Sequence, residues 1–348
     1  MYRWTRRVAI MFLLPQVVIA EAKTAVDPLF AGDELLRIRI TAPMTTIMKE
    51  RPIEKYVPGT FEYVAADGST VEFQIGLRTR GRFRRRVETC DFAPLRINFR
   101  KSEVKGTLFD KQDKLKLVTH CANKSPRYQQ SVVSEYLAYR IFNLLTDISF
   151  RARLLEVTYI DTDRDDRETV SYAIFIEHQD RMAKRIGIPT VTRWRIVVPM
   201  LIPEYASLTA LFQYFVGNTD FSQVATAPGE DCCHNHELFG NEGEKIYSVP
   251  YDFDMTGFVN APHARPNPRF RLRSVRSRLY RGRCVHNAYL ADAAATFSER
   301  REAIYDLVNS QAQLTNGTRK SQVRFVDSFF EDIDSEKRIE KKLFEDCL

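Results

Sequence analysis

Short segments of alternating polarity dominate the first third of the chain and constrain its fold most. Residues 36–40 (LRIRI) alternate apolar and basic side chains, which is the period of a half-buried strand. Residues 61–65 and 71–77 flank Asp67-Gly68, and an Asp-Gly pair supplies the positive φ angle of a short hairpin loop. Two further candidate strands are Leu95–Phe99 and Lys114–Val118. The first third is therefore predicted to be mostly β.

Helical patterns follow this β-rich region. Ser125-Pro126 is a plausible helix start, and apolar residues then recur at helical spacing at Val133, Leu137, Ile141 and Leu144. Residues 153–160 and 170–176 are predicted to form a hairpin that completes an antiparallel sheet. A second helical stripe stops at Gly217-Asn218, a C-cap signal, and residues from about 288 onward favour helix. A β-rich half before a helical half indicates an α+β arrangement.

The first 22 residues have the layout of a secretory signal peptide. Three arginines precede an apolar run of roughly thirteen residues, shorter than the ~20 of a spanning helix, and Ala20-Glu21-Ala22 offers a cleavage site. An uncleaved membrane anchor is the alternative. The prediction is an exported protein, periplasmic or secreted, that starts near Lys23 and has no transmembrane segment after cleavage.

Six cysteines agree with export, because an even number in an exported chain indicates disulfides. Cys232 and Cys233 are adjacent and are not expected to pair with each other. The favoured pairs are Cys90 with Cys121, and one of the adjacent cysteines with Cys284. A zinc site is the alternative, although adjacent ligands do not match the C-x2-C spacing of structural zinc sites. Its ligands would be Cys232, Cys233, His234 and His236.

The chain is mildly basic, with a formal charge of +7. Residues 1–22 contribute three arginines and one glutamate, so removing them leaves +5. This charge suits an anionic ligand such as a nucleotide, but it is too diffuse to predict binding to nucleic acid. Six of the basic residues form a run that could bind phosphate, bind an anionic surface or end a solvated hairpin. They are Arg78, Arg80, Arg82, Arg84, Arg85 and Arg86.

The stretch from residue 217 to residue 257 carries the chemistry. Asp220 follows a tight turn, Asn235 lies between two histidines, and Asp252 and Asp254 follow a short candidate strand. Phosphoryl transfer needs a carboxylate at the acceptor hydroxyl, and an amide and a further carboxylate on the metal. Mg²⁺ prefers such oxygen ligands. The alternatives are an N-cap for Asp220, a buried structural amide for Asn235 and a solvated turn for the Asp pair.

Four segments resemble the spore-coat protein H (CotH) kinase-like family, which is distantly related to protein kinases. They are residues 78–81 (RTRG), 135–140 (EYLAYR), 173–179 (AIFIEHQ) and 249–254 (VPYDFD), and in this order they span roughly residues 35–260. The resemblance implies a protein-kinase-like two-lobed fold. Residues 23–180 would be a β-rich N-lobe with one main helix, and residues 181–348 a helical C-lobe that carries the catalytic and metal residues.

The resemblance also implies roles for individual residues, with ATP and Mg²⁺ (or Mn²⁺) as cofactors. Asp220 would be catalytic, and the metal ligands would be Asn235, Asp252 and Asp254. Glu135 would pair with Arg96, Lys101 or Lys116, with a surface pair to Arg140 as the alternative. Glu177 would lie near the nucleotide base. The candidate basic residues at the phosphates are Arg80, Arg96 and Lys116. The chain departs from the family where Arg82 replaces an Asn after the glycine and where Asn98 stands at a Lys position.

The predicted function is that of an exported kinase-like enzyme that transfers phosphoryl groups from ATP to a protein hydroxyl. Transfer of AMP by the same fold is the nearest enzymatic alternative. A catalytically inactive binding or envelope-associated protein is the alternative from another class, and the departures at Arg82 and Asn98 favour it. A polyanion-binding surface protein that uses the arginine run is a third hypothesis.

Overall fold

A closed barrel of seven strands forms the first half of the protein. The structure is a computed structural model and describes residues 26–348. The predicted strands of this half are present, and Gly68, with a φ of 84°, occupies the turn of the predicted hairpin. The strands are β1 (Leu36–Ala42), β2 (Val57–Val64), β3 (Thr70–Thr79), β4 (Leu95–Phe99), β5 (Lys114–Val118), β6 (Ala152–Asp161) and β7 (Arg167–Ile176).

The barrel closes because β1 pairs with β6. The order around it is β1, β2, β3, β4, β5, β7, β6, and β1 runs antiparallel to β2 but parallel to β6, where Ile38 lies opposite Val157. A closed sheet has no free edge. The predicted protein-kinase-like two-lobed fold is therefore wrong, although the chain is a mixture of helices and strands. Alternation within β1 predicts a strand but cannot identify a partner so far along the chain.

Aromatic rings fill the barrel interior. Phe61 is fully buried, and its ring centroid lies 5.2 Å from that of Phe99 and 4.9 Å from that of Phe109, both edge to face. Phe73 and Phe175 extend this group. Inward-facing apolar residues alternate with outward-facing polar ones along β1 and β4, so the pleat separates the core from the outer surface there.

The helices build a second core on the outer face of β6 and β7. α3 (Pro126–Leu145), the predicted helix after Ser125, packs on both strands. The ring centroid of its Phe142 lies 4.4 Å from that of Phe212 on α5 (Pro203–Val216). α3 thus shares one core with the later helices. The helices are α1 (Pro28–Ala31), α2 (Met44–Glu50), α3 (Pro126–Leu145), α4 (Gln179–Ile186), α5 (Pro203–Val216), α6 (Leu290–Glu299), α7 (Arg301–Ser310), α8 (Asn316–Ile333) and α9 (Glu336–Ile339).

The predicted division into residues 23–180 and 181–348 stays a prediction. The barrel ends with β7, and only the short hairpin of β8 (His236–Phe239) and β9 (Tyr247–Pro250) adds strand after it. The predicted signal peptide lies outside the described residues. No helix within residues 26–348 combines the length and the apolar character that a membrane span requires.

All six cysteines form disulfides. The predicted bond between Cys90 and Cys121 is confirmed. Cys232 is bonded to Cys233, and Cys284 to Cys347, so two predictions are wrong: that the adjacent cysteines do not pair with each other, and that one of them pairs with Cys284. The adjacent cysteines are buried with Ile196, Leu201 and Leu238 in a small apolar cluster beside β8. This bond removes both thiols from the alternative zinc site.

Candidate active site

Asp220 is held by a turn at the end of α5. Gly217 ends the helix in the left-handed conformation, as its C-cap signal predicts. The backbone N–H of Asp220 donates to Oδ1 of Asn218 over 2.8 Å, and Nδ2 of Asn218 donates to Oε1 of Gln213 over 2.9 Å. No helix begins at Asp220, so the N-cap alternative is wrong. The side chain of Asp220 is 38% exposed, which leaves its carboxylate accessible to a ligand.

His234 and Asn235 contact the Asp220 carboxylate from the following loop. His234 Nε2 lies 2.9 Å from Oδ1 of Asp220, and this hydrogen bond raises the pKa of His234. Asn235 donates through Nδ2 to the Asp220 carbonyl oxygen over 2.7 Å and to its Oδ2 over 3.3 Å. The amide nitrogen of Asn235 therefore orients Asp220, and its side-chain oxygen is the atom that remains for a metal.

The β8–β9 hairpin brings Asp252 to the same place. His236 lies opposite Pro250 across the hairpin, and the backbone N–H of Tyr251 donates to the Asn235 carbonyl over 3.0 Å. Asn235 and Asp252 both have left-handed backbone conformations, with φ angles of 54° and 63°. Such conformations cost free energy in residues other than glycine and are concentrated at functional sites.

Three neighbouring carboxylates, Glu135, Asp252 and Asp254, form an acidic cluster between α3 and the end of β9. Burial and the Asp254 carboxylate raise the pKa of Asp252 to about 6. Burial, together with Asp254 and Asp252, raises the pKa of Glu135 well above its usual value. Glu135 is 2% exposed, and its Oε1 has no hydrogen-bond partner within the described chain. Ionising all three carboxylates together is therefore unfavourable, although the charges of Arg80 and Arg84 act in the opposite direction, and a bound cation would favour the ionised forms.

Asp254 is ionised more readily than its two neighbours. Its Oδ2 lies 3.1 Å from His263 Nε2 and 3.7 Å from a terminal nitrogen of Arg84. Burial opposes ionisation of Asp254, but the hydrogen bond from His263 and the charge of Arg84 outweigh it and lower the pKa of Asp254. Sequence reasoning missed His263, because a histidine in an Arg- and Pro-rich loop gives no signal of its tertiary partner.

Tyr139 contacts Asp252, and sequence reasoning gave this tyrosine no role. Its hydroxyl accepts a hydrogen bond from the backbone N–H of Asp252 over 2.9 Å. Its ring also packs edge to face on Phe253, with centroids 4.7 Å apart. Tyr139 is on the same helix as Glu135, one turn later, so α3 positions both Glu135 and the backbone of Asp252. Tyr139 lies within residues 135–140, one of the four segments that resemble the CotH kinase-like family, and this was the signal that could have identified it.

Three cations lie side by side on the outer surface of the barrel, and the charge of Asp252 acts on one of them, Lys116. Arg78 on β3 lies directly opposite Arg96 on β4, which lies directly opposite Lys116 on β5, and these three residues are the basic row. Lys116 Nζ lies 4.8 Å from the ring centroid of Tyr251, next to Asp252. Like charges directly opposite each other on neighbouring strands destabilise a sheet. The Nε atoms of Arg78 and Arg96 are buried and lack hydrogen-bond partners within the described chain.

Burial and neighbouring positive charges lower the pKa values of two residues of the basic row. Burial and the nearby Arg80 guanidinium lower the pKa of Lys116 to about 8. Burial, Arg80 and Arg78 also lower the pKa of Arg96. The side chain of Arg80 makes no hydrogen bond or ion pair with any residue from 26 to 348, yet its charge acts on both Lys116 and Asp252. This concentration of positive charge favours an anionic ligand.

The arginine run that follows Arg80 is only partly solvated. Arg82 forms an ion pair with Glu230, which lies in the loop between Asp220 and Asn235. Arg84 donates to the carbonyl oxygen of Thr119 and faces Asp254. The β3–β4 loop is thereby tied both to the loop that follows Asp220 and to the acidic cluster.

The two glutamates of the predicted site differ in their contacts. Glu135 forms no ion pair with Arg96, Lys116 or any other described residue, so the predicted pair is wrong. Glu177 accepts hydrogen bonds from Arg185 on α4, at 2.8 and 2.9 Å, and from the Arg151 backbone N–H over 3.1 Å. Its two carboxylate oxygens thus join β7 to α4, and its predicted place near a nucleotide base stays a prediction.

The donor set fits a magnesium ion that arrives with a nucleotide better than a preformed metal site. Among residues 26–348, no group of three His, Cys, Asp or Glu side chains is arranged to hold a metal ion. Mg²⁺, however, keeps several waters and is commonly bound through one or two carboxylates and the substrate phosphates. Asp252 and the unpartnered Oε1 of Glu135 are available for that role.

Comparisons with known proteins identify no relative of this chain, since no family model and no curated protein matches it. The resemblance to the CotH kinase-like family therefore stays a prediction.

Proposed function

We propose that the protein is an exported, metal-dependent phosphoryl transferase that takes its phosphoryl group from a nucleoside triphosphate such as ATP. The observation that carries this proposal is that Asp252 of the acidic cluster lies close enough to Lys116 of the basic row and to Arg80 for their charges to act on each other. A triphosphate bound with a divalent cation needs carboxylates on its metal side and cations on its phosphate side. The three disulfides support export, since such bonds persist in oxidising compartments.

The basic row and Arg80 would bind the phosphates. Arg78 and Arg96 offer buried donors without partners, and Lys116 adds a third charge beside Tyr251. An anion bound here would reduce the repulsion between these cations, and its oxygens would accept hydrogen bonds from the unpartnered Nε atoms of Arg78 and Arg96. Asp252 would hold Mg²⁺ or Mn²⁺, with Glu135, Asp254 and the side-chain oxygen of Asn235 as further candidate ligands. When bound, the metal supplies positive charge that stabilises the phosphate oxygens during transfer.

Asp220 would act on the acceptor, which we propose to be a protein hydroxyl. Its carboxylate is accessible, oriented by Asn235 and hydrogen-bonded to His234. It would take the proton of the attacking hydroxyl as the new oxygen–phosphorus bond forms and the bond to the leaving nucleoside diphosphate breaks. The hydrogen bond from His234 would stabilise the ionised form of Asp220 and orient its carboxylate.

Binding is tested by thermal unfolding of the purified protein with ATP, with and without Mg²⁺ or Mn²⁺. A ligand that binds only the native state raises the melting temperature. We expect a metal-dependent rise for the natural protein and for the control Asp306→Asn, which changes an exposed carboxylate on α7. The rise should be lost in Asp252→Asn. No rise at millimolar ATP with either metal would contradict the proposal.

Transfer is tested with ATP labelled on the γ- or the α-phosphate and a mixture of exported proteins as acceptor. We expect γ-label in the acceptor, and a decrease of about 10²- to 10⁴-fold in Asp220→Asn with the ATP-induced thermal shift retained. Label from the α-phosphate would instead identify transfer of AMP. Equal labelling by Asp220→Asn and the natural protein would rule out Asp220 as the base.

A non-catalytic anion-binding protein is the second candidate, and the partners of Asp254 favour it. His263 and Arg84 already neutralise that carboxylate, and no three-ligand metal group occurs in the described part of the chain. This candidate predicts that ATP stabilises the protein equally with and without metal. It also predicts that binding is salt-sensitive, because it rests on the cations of the basic row.

A further inference from the structure

A cavity of about 630 Å³ opens at one mouth of the barrel, away from the acidic cluster. It lies where β1 ends, where α2 begins and where the turn between β6 and β7 crosses. None of the residues that line it belongs to the acidic cluster or the basic row. Its volume is within the range of small-molecule sites, and the mouths of barrels are a frequent place for them.

The inner wall of this cavity is apolar. Met44 and Met48 of α2 line it together with the rings of Phe92 and Tyr159, whose centroids are 4.7 Å apart. The hydroxyl of Tyr159 is buried and has no hydrogen-bond partner within the described chain. The aromatic packing behind these residues closes the barrel, so a ligand would stay at the mouth. An apolar wall of this kind favours a hydrocarbon group over water.

The rim of the cavity is basic. Lys49, Lys124 and Arg167 are exposed, and their side chains form no ion pair or hydrogen bond with any residue from 26 to 348. Two acidic residues, Asp91 and Asp161, also line the cavity, and Asp161 keeps its charge while it accepts hydrogen bonds from the N–H and the hydroxyl of Thr45, at 3.1 and 2.6 Å. Arg51 and Arg164 also line it, so five cations stand against two carboxylates and the cavity favours an anionic group.

We propose that this cavity binds a small amphipathic carboxylate, with the hydrocarbon part against Met44, Met48 and Phe92 and the carboxylate between Lys49, Lys124 and Arg167. A neutral amphiphile would gain nothing from the rim cations, and a small hydrophilic anion would leave the apolar wall in contact with water. The combination of wall and rim therefore selects both properties in one ligand. This site does not depend on the phosphoryl-transfer function proposed above.

Isothermal titration of the purified protein with octanoate, 1-octanol and acetate separates the two contributions. We expect octanoate to bind with a 1:1 stoichiometry, and octanol and acetate each to bind at least about fivefold more weakly, since each lacks one of the two contributions. Octanoate that binds no more tightly than octanol would remove the role of the rim. Absence of saturable octanoate binding would overturn the whole proposal.

Two matched double variants test the location. K49Q/K124Q removes two rim cations, and K105Q/K320Q removes two exposed, unpaired lysines elsewhere. We expect K49Q/K124Q to weaken octanoate about fivefold at low salt, with a smaller effect at high salt, and to leave octanol unchanged. If both variants weakened octanoate binding equally, the cause would be the net charge of the protein, and the assignment of octanoate to this cavity would be overturned. Thermal unfolding of both variants checks that each is folded.

Discussion

The barrel interior and Glu135 of the acidic cluster are both buried, yet they contribute to stability in opposite directions. In the interior, Phe61, Phe99 and Phe109 bury apolar rings edge to face, which stabilises the fold. In the cluster, Glu135 is buried with an unpartnered oxygen and two neighbouring carboxylates, which costs free energy. The interior therefore stabilises the fold, whereas in the cluster a bound cation would offset the cost of the buried carboxyl groups.

The largest effect is expected in the interior. Phe61→Ala should lower the free energy of unfolding by about 3–5 kcal/mol, because it removes a fully buried ring and leaves a cavity. Urea unfolding followed by far-UV circular dichroism measures the change. Phe61→Leu is the control and should cost much less. Equal stability of Phe61→Ala and the natural protein would mean that the aromatic group does not hold the barrel.

The interior also predicts a loss of stability in acid. His120 packs against Phe92 at the barrel end, with ring centroids 4.5 Å apart, and burial lowers the pKa of His120 from 6.5 to about 4. Between these values the unfolded chain binds a proton that the native chain does not. Stability should therefore decrease as the pH falls from about 6.5 to 4, by at most ~1.4 kcal/mol per pH unit from this residue.

His120→Phe isolates this contribution. It keeps an aromatic ring but loses the 2.8 Å hydrogen bond between His120 Nε2 and Oδ1 of Asn123, so a constant offset in stability is expected. The difference between the two proteins should change with pH between 6.5 and 4 and be flat above 7. Parallel stability curves, measured by urea unfolding at half-unit pH steps, would show that His120 does not titrate in this way.

The sequence predicted the strands well because their signals are local. The alternation in β1 and the Asp-Gly turn between β2 and β3 depend only on neighbouring residues. Closure of the barrel depends on Leu36 lying opposite Leu155, and no local pattern specifies that register. The same limit explains the wrong disulfide, since the pairing of Cys284 with Cys347 is decided by how the C-terminal segment folds back.

The candidate site shows the same division. Asp220, Asn235 and Asp252 could be selected because their chemistry and order along the chain suit phosphoryl transfer, and the turn and hairpin bring them together. The contacts of Asp254 with His263 and Arg84 could not be predicted, because they depend on how the segment after β9 folds back on itself and packs against the β3–β4 loop. The resemblance implies a basic ion-pair partner for Glu135, but the structure buries this carboxyl beside Asp254 and Asp252, and Arg84 and Arg80 act on it only through their charge.

The acidic cluster predicts a substitution that stabilises the protein. Glu135→Gln should raise the free energy of unfolding by about 1–3 kcal/mol without ligand, because the amide keeps the shape of the side chain and needs no bound proton to stay neutral in the interior. The raised pKa of Glu135 means that the native chain retains a proton that the unfolded chain loses, so the natural protein becomes less stable as the pH rises above 4.5. The advantage of the variant should therefore grow with pH.

Thermal unfolding at pH 5, 7 and 8.5 measures this effect, and ATP with Mg²⁺ provides the second measurement. The proposed function predicts a smaller ligand-induced shift in Glu135→Gln than in the natural protein, since a neutral amide attracts a cation less strongly. Destabilisation of the variant at every pH would show that the Glu135 carboxylate has a favourable partner in the native protein.

The smallest expected effect concerns the basic row and has the same sign as that of Glu135→Gln. Arg96 lies between Arg78 and Lys116, so Arg96→Gln should relieve repulsion on both sides and stabilise the protein by about 0.2–1 kcal/mol without ligand. The same variant should bind ATP more weakly, whereas Lys320→Gln, which removes an exposed charge from α8, should change neither property. Thermal unfolding with and without ATP measures both. A variant that is less stable in the absence of ligand would show that the row is held together by the protein alone, and the charge repulsion on which the phosphate site rests would then be absent.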